Sequence, residues 1–432
     1  MNLSFMPAVS SREELAALQL KGLQWTVSHA YRHSDHYRRK LNEAGVTPEQ
    51  IRSLDDLRRL PFTTAQDLQA DYPFPLRSVP FEDIVRVHAS SGTTGKRKVL
   101  SYTQKDIDDW AFMFARCYQM AGLTKKDRVQ IAVGYGLWTA GVGFQLGCEK
   151  FGALAIPVGP ANSEIHCQML VDMQSTVFCA TASMALLMAE EIEQRGLRER
   201  IALKKFIFGA ERHSRRMRSR IQEITGAGEL FDITGLTELY GPGTGLECGA
   251  HQGVHYWADY YLLEILDPES LEPVPPGEIG EMVVTSLRKE ASPLIRYRTR
   301  DLTRLLPDPC PCGNILPRHD HLLGRSDDMF IYRAVNIYPG QIDHVLSQIP
   351  CVGSEYQVHL YRREDGRDIM LIKVERLGDD CPDSDRQLVE QITHEIRRQI
   401  LVRAQVEVVD YGALPRTERK SKRVFDHRVN GL

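Results

Sequence analysis

The sequence predicts an α/β fold: a large N-terminal domain of α/β subdomains with a β-rich part, and a small α+β domain at the C-terminus. Three observations carry this. From about residue 105 to Phe208, short apolar runs alternate with longer helical patterns, as in a sheet covered by helices. The Pro- and Gly-rich stretch DPESLEPVPPGEIG then separates two purely strand-like runs. After the polar segment GRSDD at 324–328 the helix and strand pattern starts afresh.

Taken in order, residues 11–45 read as a helix. Ser11 and Glu14 form a possible capping box, and Leu15, Leu18, Leu23, Val27, Ala30 and Tyr31 recur at helical spacing, so this helix is read as packing. The apolar runs Val129–Val133, Leu154–Val158, Thr176–Ala180 and Phe206–Phe208 read as strands, with a helix at Ala182–Gln194 among them. Several runs end in glycine or small polar residues (VGYG, PVGP, FGAE), and in α/β sheets ligands sit beyond the carboxyl ends of strands. Leu262–Leu266 and Glu281–Leu287 are the later strands. Beyond the boundary near Gly324 come a helix at Pro339–Ser347 and strands at Gln357–Leu360 and Ile369–Val374. A helix at Asp385–Leu401 follows, with an apolar stripe of Val389, Ile392, Ile396 and Ile400, and then a strand at Val406–Val409.

The composition narrows the function classes. The chain has 432 residues, 42% hydrophobic and 26% charged, which excludes a disordered chain and implies two or three domains. A net charge of −3 gives no reason to expect nucleic acid as a partner. No segment approaches the roughly 18–20 apolar residues of a membrane span, and MNLSFMPAVSSREEL is not a secretory signal. Nine scattered cysteines fit a reducing, cytoplasmic setting rather than a disulfide framework.

Three segments carry chemistry. Ser90-Ser91-Gly92-Thr93-Thr94-Gly95-Lys96-Arg97-Lys98 combines glycines, hydroxyls and cations, the ingredients of a phosphate cradle, although the glycine spacing is not that of a Walker A loop; a plain turn is the alternative. Thr234-Gly235-Leu236-Thr237-Glu238 offers a carboxylate after a Gly/Thr turn, suited to Mg²⁺; the alternative is a helix start capped by Thr237 and Glu238. Arg296-Tyr297-Arg298-Thr299-Arg300-Asp301 is either an ion-pair network or a carboxylate that accepts ribose hydroxyls. A fourth signal is a possible metal site: Cys310-Pro311-Cys312-Gly313 with Cys248, His251 and His255 upstream. Three cysteines and one histidine would close a structural zinc site, and free buried cysteines are the alternative.

The order SSGTTGKRK, GYGLWTAG, FGAE, TGLTE, SLRKEASPLIRYRTRD, GRSDDMFIYRAVNIYP and RTERKSKRVFDHR resembles the adenylate-forming superfamily, and within it the phenylacetate–CoA ligase family, over essentially the whole chain. The resemblance implies an ATP-dependent ligase for an aryl acid. The carboxylate attacks the α-phosphate of ATP, giving an acyl-adenylate and pyrophosphate, and the CoA thiol then displaces AMP. It implies phosphate binding by Ser91, Gly92, Thr93, Thr94, Gly95 and Lys96. Gly209, Ala210 and Glu211 would flank adenine, with Thr234 and Gly235 beside them, Asp301 on the ribose and Arg325 after it. Glu238 would hold Mg²⁺ with Thr237 near the α-phosphate, and Lys420 would bridge carboxylate and phosphate. Tyr135, Gly136, Trp138 and Ala140 would line the acyl pocket. Asp327 and Asp328 would form the hinge, giving domains 1–324 and 329–432 about residues 325–328. Relatives with a similar cysteine and histidine arrangement point to His255 as the fourth zinc ligand, and dimers are common among relatives.

The chain departs from the family at Thr234, where an aromatic is usual, at Ala334, where glycine is usual on the pantetheine tunnel, and at Arg419, which replaces a glycine before Lys420. Ala334 keeps a second reading open: an adenylating enzyme with a non-CoA acceptor, such as AMP transfer of the coenzyme F390 synthetase kind or carrier-protein loading. A third class, a binding protein without turnover, is disfavoured by the presence of both Lys420 and Glu238.

Overall fold

The computed structural model describes residues 4–90, 97–211, 213, 215–333, 335–363, 367–378, 381, 384–415 and 423–428. Ser91–Lys96, Ala334, Arg419 and Lys420 lie outside them. The chain divides into two compact units. One comprises Met1–Ala180, Arg200–Ala210 and Glu229–His321, and the other Thr181–Glu199, Glu211–Gly228 and Leu322–Leu432.

The first unit opens with two helices rather than one. Arg12–His33 is capped by the Ser11 side chain, which accepts from Glu14 N, and the chain turns extended at Ser34 before Asp35–Glu43. Leu23, Val27 and Ala30 are fully buried, the packing role their spacing predicts.

The unit's main sheet has nine strands. In spatial order they are Leu305–Leu306, Arg318–His319, Val254–Tyr256, Gly241–Glu247, Glu229–Leu236, Lys205–Gly209, Val177–Thr181, Arg128–Ile131 and Leu154–Ile156. The four apolar runs read from the sequence are all strands of this sheet. Lys205–Gly209 pairs parallel with Glu229–Leu236, whereas the latter pairs antiparallel with Gly241–Glu247. The turn after Glu229–Leu236 therefore stands at the carboxyl end of a strand that pairs in parallel, where α/β sheets bind their ligands. The helices Gln104–Met120 and Ala140–Phe151 meet at glycines: a Cβ on Gly147 would lie 2.4 Å from Phe114 Cβ, so only glycine permits this approach.

A second, antiparallel sheet holds Tyr261–Leu266, Gly280–Ser286 and Tyr297–Thr303. Its register slips between Glu281 and Val283, a bulge beside the stretch of Tyr297–Thr303 that carries Asp301.

The other unit has its own sheet, ordered Gln405–Val409, Asp368–Arg376, Val352–Arg362 and Val424–Asp426. The helices Pro339–Ser347 and Asp385–Ile400 belong to it, and its core includes Ile342, Val358, Ile372, Ile392 and Ile396. In Asp385–Ile400 the buried stripe is Leu388, Ile392, Ile396 and Ile400; Val389 sits at its margin, so the expected stripe is out of phase by one residue at its start. The helices Ala182–Gln194 and Arg215–Thr225 join this unit, and Arg216 donates to the main-chain oxygens of Ile349 and Val352.

Cys351 and Cys381 form a disulfide, a pairing that the sequence does not announce. They stand 30 residues apart in sequence and meet through the packing of this unit. Among the described residues no helix is long and apolar enough to cross a membrane.

Candidate functional site

The segment Thr237–Tyr240 is a tight turn joining two antiparallel strands, with Leu236 paired to Gly241. It is not a helix start, which corrects the alternative reading of Thr237 and Glu238 as caps. Gly235 is obligatory here because a Cβ would lie 2.1 Å from Gly241 O. The turn therefore presents Glu238 at the carboxyl end of Glu229–Leu236.

Glu238 is buried, 6% exposed. Its carboxylate forms an ion pair with Lys98 Nζ and accepts a hydrogen bond from Tyr297 Oη at 3.0 Å. Burial acts to raise its pKa, but the Lys98 charge and hydrogen bond, with Tyr297, bring it below the ordinary glutamate value. An ionised carboxylate in a dry place between a cation and a phenol is suited to a divalent cation bearing phosphates. Thr237 Oγ1 lies 3.5 Å from Thr139 Oγ1, one residue before the helix Ala140–Phe151.

Other predicted residues in this unit take these positions. Gly209 ends the strand Lys205–Gly209, and a Cβ there would lie 2.2 Å from Ile233 O. Ala210 follows in the left-handed region at φ 69°. Thr234 Oγ1 is buried and has no hydrogen-bond partner among the described residues. Asp301 is buried on Tyr297–Thr303, the strand that also supplies Tyr297. Tyr135 lays its ring within 2.5 Å of a Cβ built on Gly141 and 3.5 Å of one built on Gly159. Trp138 covers Gly134 in the same way, at 3.2 Å. Gly136 adopts φ 88°, and Ala140 is buried at the start of its helix. The turn thus gathers Thr237, Glu238, Lys98 and Tyr297.

In the other unit, Glu211 Oε1 accepts from Ser183 N at 2.6 Å. Arg325 makes a forked pair with Asp327 at 2.8 and 2.9 Å, and Asp328 N donates to Arg325 O at 3.3 Å. The expected residues Ser91, Gly92, Thr93, Thr94, Gly95, Lys96 and Lys420 lie outside the described residues.

The residues sequence reasoning passed over are Tyr297, Tyr102, Asp106 and Lys289. Lys289 and Tyr297 stood inside the quoted segments SLRKEA and RYRTRD, but no spacing ties either to Glu238, 51 and 59 residues away.

A second cluster lies in the same unit. The ligand atoms of Cys248, His255, Cys310 and Cys312 fall within 4.8 Å of one another. Cys248 Sγ lies 3.5 Å from Cys310 Sγ, and Cys312 Sγ lies 3.3 Å from His255 Nε2. His255 Nδ1 is 2.8 Å from Leu316 O. A proton on Nδ1 makes that bond, and Nε2 then turns its lone pair to the sulfurs. His251 faces elsewhere, with Nδ1 3.2 Å from Glu247 Oε2.

Residues 13–287 match the AMP-binding enzyme family, and residues 334–428 match the AMP-binding enzyme C-terminal domain. The phenylacetate–coenzyme A ligase of Escherichia coli (strain K12) is 41% identical over 425 residues, 97% of this chain and 96% of its own length. This chain belongs to the phenylacetate–CoA ligase family of adenylate-forming enzymes. The family member of Thermus thermophilus is 40% identical over 96% of this chain and 97% of its own. A crystal structure of 2-hydroxyisobutyryl-CoA ligase in the postadenylation state, in complex with 2-HIB-AMP, matches with a TM-score of 0.88 and 30% identity. That match covers 99% of this chain and 95% of the other. These family relatives are all CoA ligases, which does not favour the reading with a non-CoA acceptor.

Proposed function

We propose that this chain is an ATP-dependent aryl-carboxylate–CoA ligase that activates a phenylacetate-like or benzoate-like acid through an acyl-adenylate. The observation that carries this is the full-length match, at 40–41% identity, to phenylacetate–CoA ligases. The acid's carboxylate oxygen attacks the α-phosphorus of ATP and pyrophosphate leaves. The CoA thiol then attacks the acyl carbon, and AMP leaves with the bonding electron pair.

Both steps depend on positioning and on offsetting negative charge. Ser91–Lys96 would grip the phosphates, and Lys420 would stand at the reacting carboxylate. Gly209, Ala210, Glu211, Thr234 and Gly235 would receive the adenine, with Asp301 and Arg325 on the ribose side. The fit of Glu238 to Mg²⁺ rests on its buried, ionised carboxylate, and the ion would neutralise phosphate charge. Thr237 beside it would face the α-phosphate. The aromatic rings of Tyr135 and Trp138, with Gly136 and Ala140 leaving room, suit a flat acyl group. Residues 325–328, including Asp327 and Asp328, would act as the hinge for the C-terminal residues.

The four donors Cys248, His255, Cys310 and Cys312 fit a closed tetrahedral Zn²⁺ site with a structural role. Three sulfurs and one imidazole nitrogen converge, and the imidazole is oriented by a main-chain carbonyl.

The test is acid-dependent pyrophosphate release with ATP and Mg²⁺ over a panel of aryl acids, with and without CoA. Multiple turnovers only when CoA is present are expected. A single stoichiometric burst that CoA does not relieve would refute CoA as the acceptor. Lys420→Ala should abolish adenylate formation and leave ATP binding.

A further inference from the structure

The main chain of the Thr237–Tyr240 turn is held by two buried polar side chains, Lys289 and Tyr102. Lys289 is completely buried. Its ammonium donates to Glu238 O at 3.0 Å and lies 4.6 Å from the centre of the Tyr102 ring and 5.4 Å from that of Tyr240. Tyr102 Oη, also buried, stands 3.2 Å from Thr237 O and 2.9 Å from Tyr240 O. Three carbonyls of one short turn are thus met by Lys289 and Tyr102, while the Glu238 carboxylate is met by Lys98 and Tyr297.

The cation is costly where it sits. Burying an ammonium without a directly paired carboxylate is unfavourable, and a methionine of similar length would fill the same space without a charge. Burial brings the Lys289 pKa down to about 8, against the charges of Asp106 and Glu238. Asp106 is itself occupied, accepting from the main-chain N–H groups of Thr103, Glu290 and Ala291 at 3.1, 2.8 and 3.0 Å. Those bonds fix the backbone just after Lys289. The arrangement is a braced lysine whose directed bond among the described residues goes to the main chain of the residue bearing the site's buried carboxylate.

We propose that Lys289 is a positioning residue for adenylation: caged by Tyr102 and Tyr240, it holds the Glu238 carbonyl and so sets the aim of the Glu238 carboxylate and of Thr237. The inference rests on the reading of Glu238 as the Mg²⁺ ligand. Lys289 acts through the main chain of Glu238. The effect is geometric, and a small misplacement of a site of this kind costs up to about a hundredfold in rate.

The experiment uses the full chain and four proteins: parent, Lys289→Met, Tyr102→Phe and Glu238→Gln. Acid-dependent pyrophosphate release is titrated against Mg²⁺, ATP and acid, and the thermal midpoint is recorded. Lys289→Met is expected to lower kcat by roughly 10- to 100-fold and to raise the Mg²⁺ concentration giving half-maximal rate. The acid KM should stay near the parent value and the midpoint should not fall. Tyr102→Phe, which keeps the ring and removes only the hydroxyl, should shift both quantities in the same direction by less. A merely structural lysine would lower the midpoint and leave the Mg²⁺ requirement of the folded fraction unchanged, and that result overturns the proposal. If Lys289→Met fails to fold, an unchanged Mg²⁺ requirement in Tyr102→Phe overturns it instead. Glu238→Gln separates the two readings. If it keeps the parent's Mg²⁺ dependence, the metal role of Glu238 fails and takes the proposal with it. If it loses that dependence while Lys289→Met and Tyr102→Phe do not, the Lys289 inference alone fails.

Discussion

The Glu238 turn and the cysteine cluster are two buried polar groupings in one unit, and they balance their charge differently. Glu238 is satisfied within the protein: Lys98 pairs with its carboxylate, Tyr297 donates to it and Lys289 takes its carbonyl. In the cluster, three sulfurs and one imidazole nitrogen face one another, hydrogen bonds orient His255 and Cys312, and the charge of Arg318 is felt at Cys310 without, among the described residues, an ion pair to any of the four. A site with internal counter-charges can exist with or without its ion and can exchange it. A site of converging thiols and an imidazole gains stability when an ion binds and stays. The contrast separates the proposed exchangeable Mg²⁺ site from the proposed structural Zn²⁺ site by charge balance alone.

The largest expected effect breaks the first half of that contrast. Glu238→Gln should lower adenylation by about 10²–10³-fold, as removal of a charge-stabilising group at a reacting centre does, with the thermal midpoint close to the parent's. Pyrophosphate release and calorimetry on the same sample check this, and a large fall in midpoint would contradict the exchangeable character of the site.

The second effect tests the other half. Cys310→Ser should remove stoichiometric zinc, read by elemental analysis, and lower the thermal midpoint by several degrees, with adenylation per folded molecule retained. Loss of activity at an unchanged midpoint would instead place the cluster in the chemistry. The partner variant His251→Ala should leave the zinc content as it is, because that imidazole faces Glu247.

A smaller effect reads the buried Lys289 charge. Burial lowers the Lys289 pKa from 10.5 to about 8. Below pH 8 the lysine is protonated in folded and unfolded chains alike, and the full cost of burying the charge is present. Between about pH 8 and 10.5 the unfolded chain holds the proton more often than the folded one, so stability rises with pH across that window. Compared with Lys289→Met, the parent should therefore gain stability from pH 8 to about pH 10. Parallel denaturant titrations at three pH values measure the difference. A parent that loses ground in that window would mean the lysine is stabilised as a cation.

Much of the fold was legible because its signals are local. Ala182–Gln194 was read to the residue, and each apolar run became a strand. The apolar period held in Asp385–Ile400, but Leu388 and Val389 are both apolar and only packing chose between them. The turn at Thr237–Tyr240 was legible as chemistry and misleading as structure. A threonine before an acid is a good helix cap, yet the glycines at 235 and 241 allow two backbones to close into a hairpin that a cap would not need.

By itself, the sequence determined the family, several of the strands and helices, and the residue types each motif could offer, since these depend on neighbours along the chain. Only the tertiary structure decided that Glu238 is met by Lys98, Tyr297 and Lys289, and that Cys351 reaches Cys381. Those partners stand tens to more than a hundred residues apart in sequence. Which polar groups share a dry space is set by how the sheets and helices pack, and no spacing along the chain encodes it.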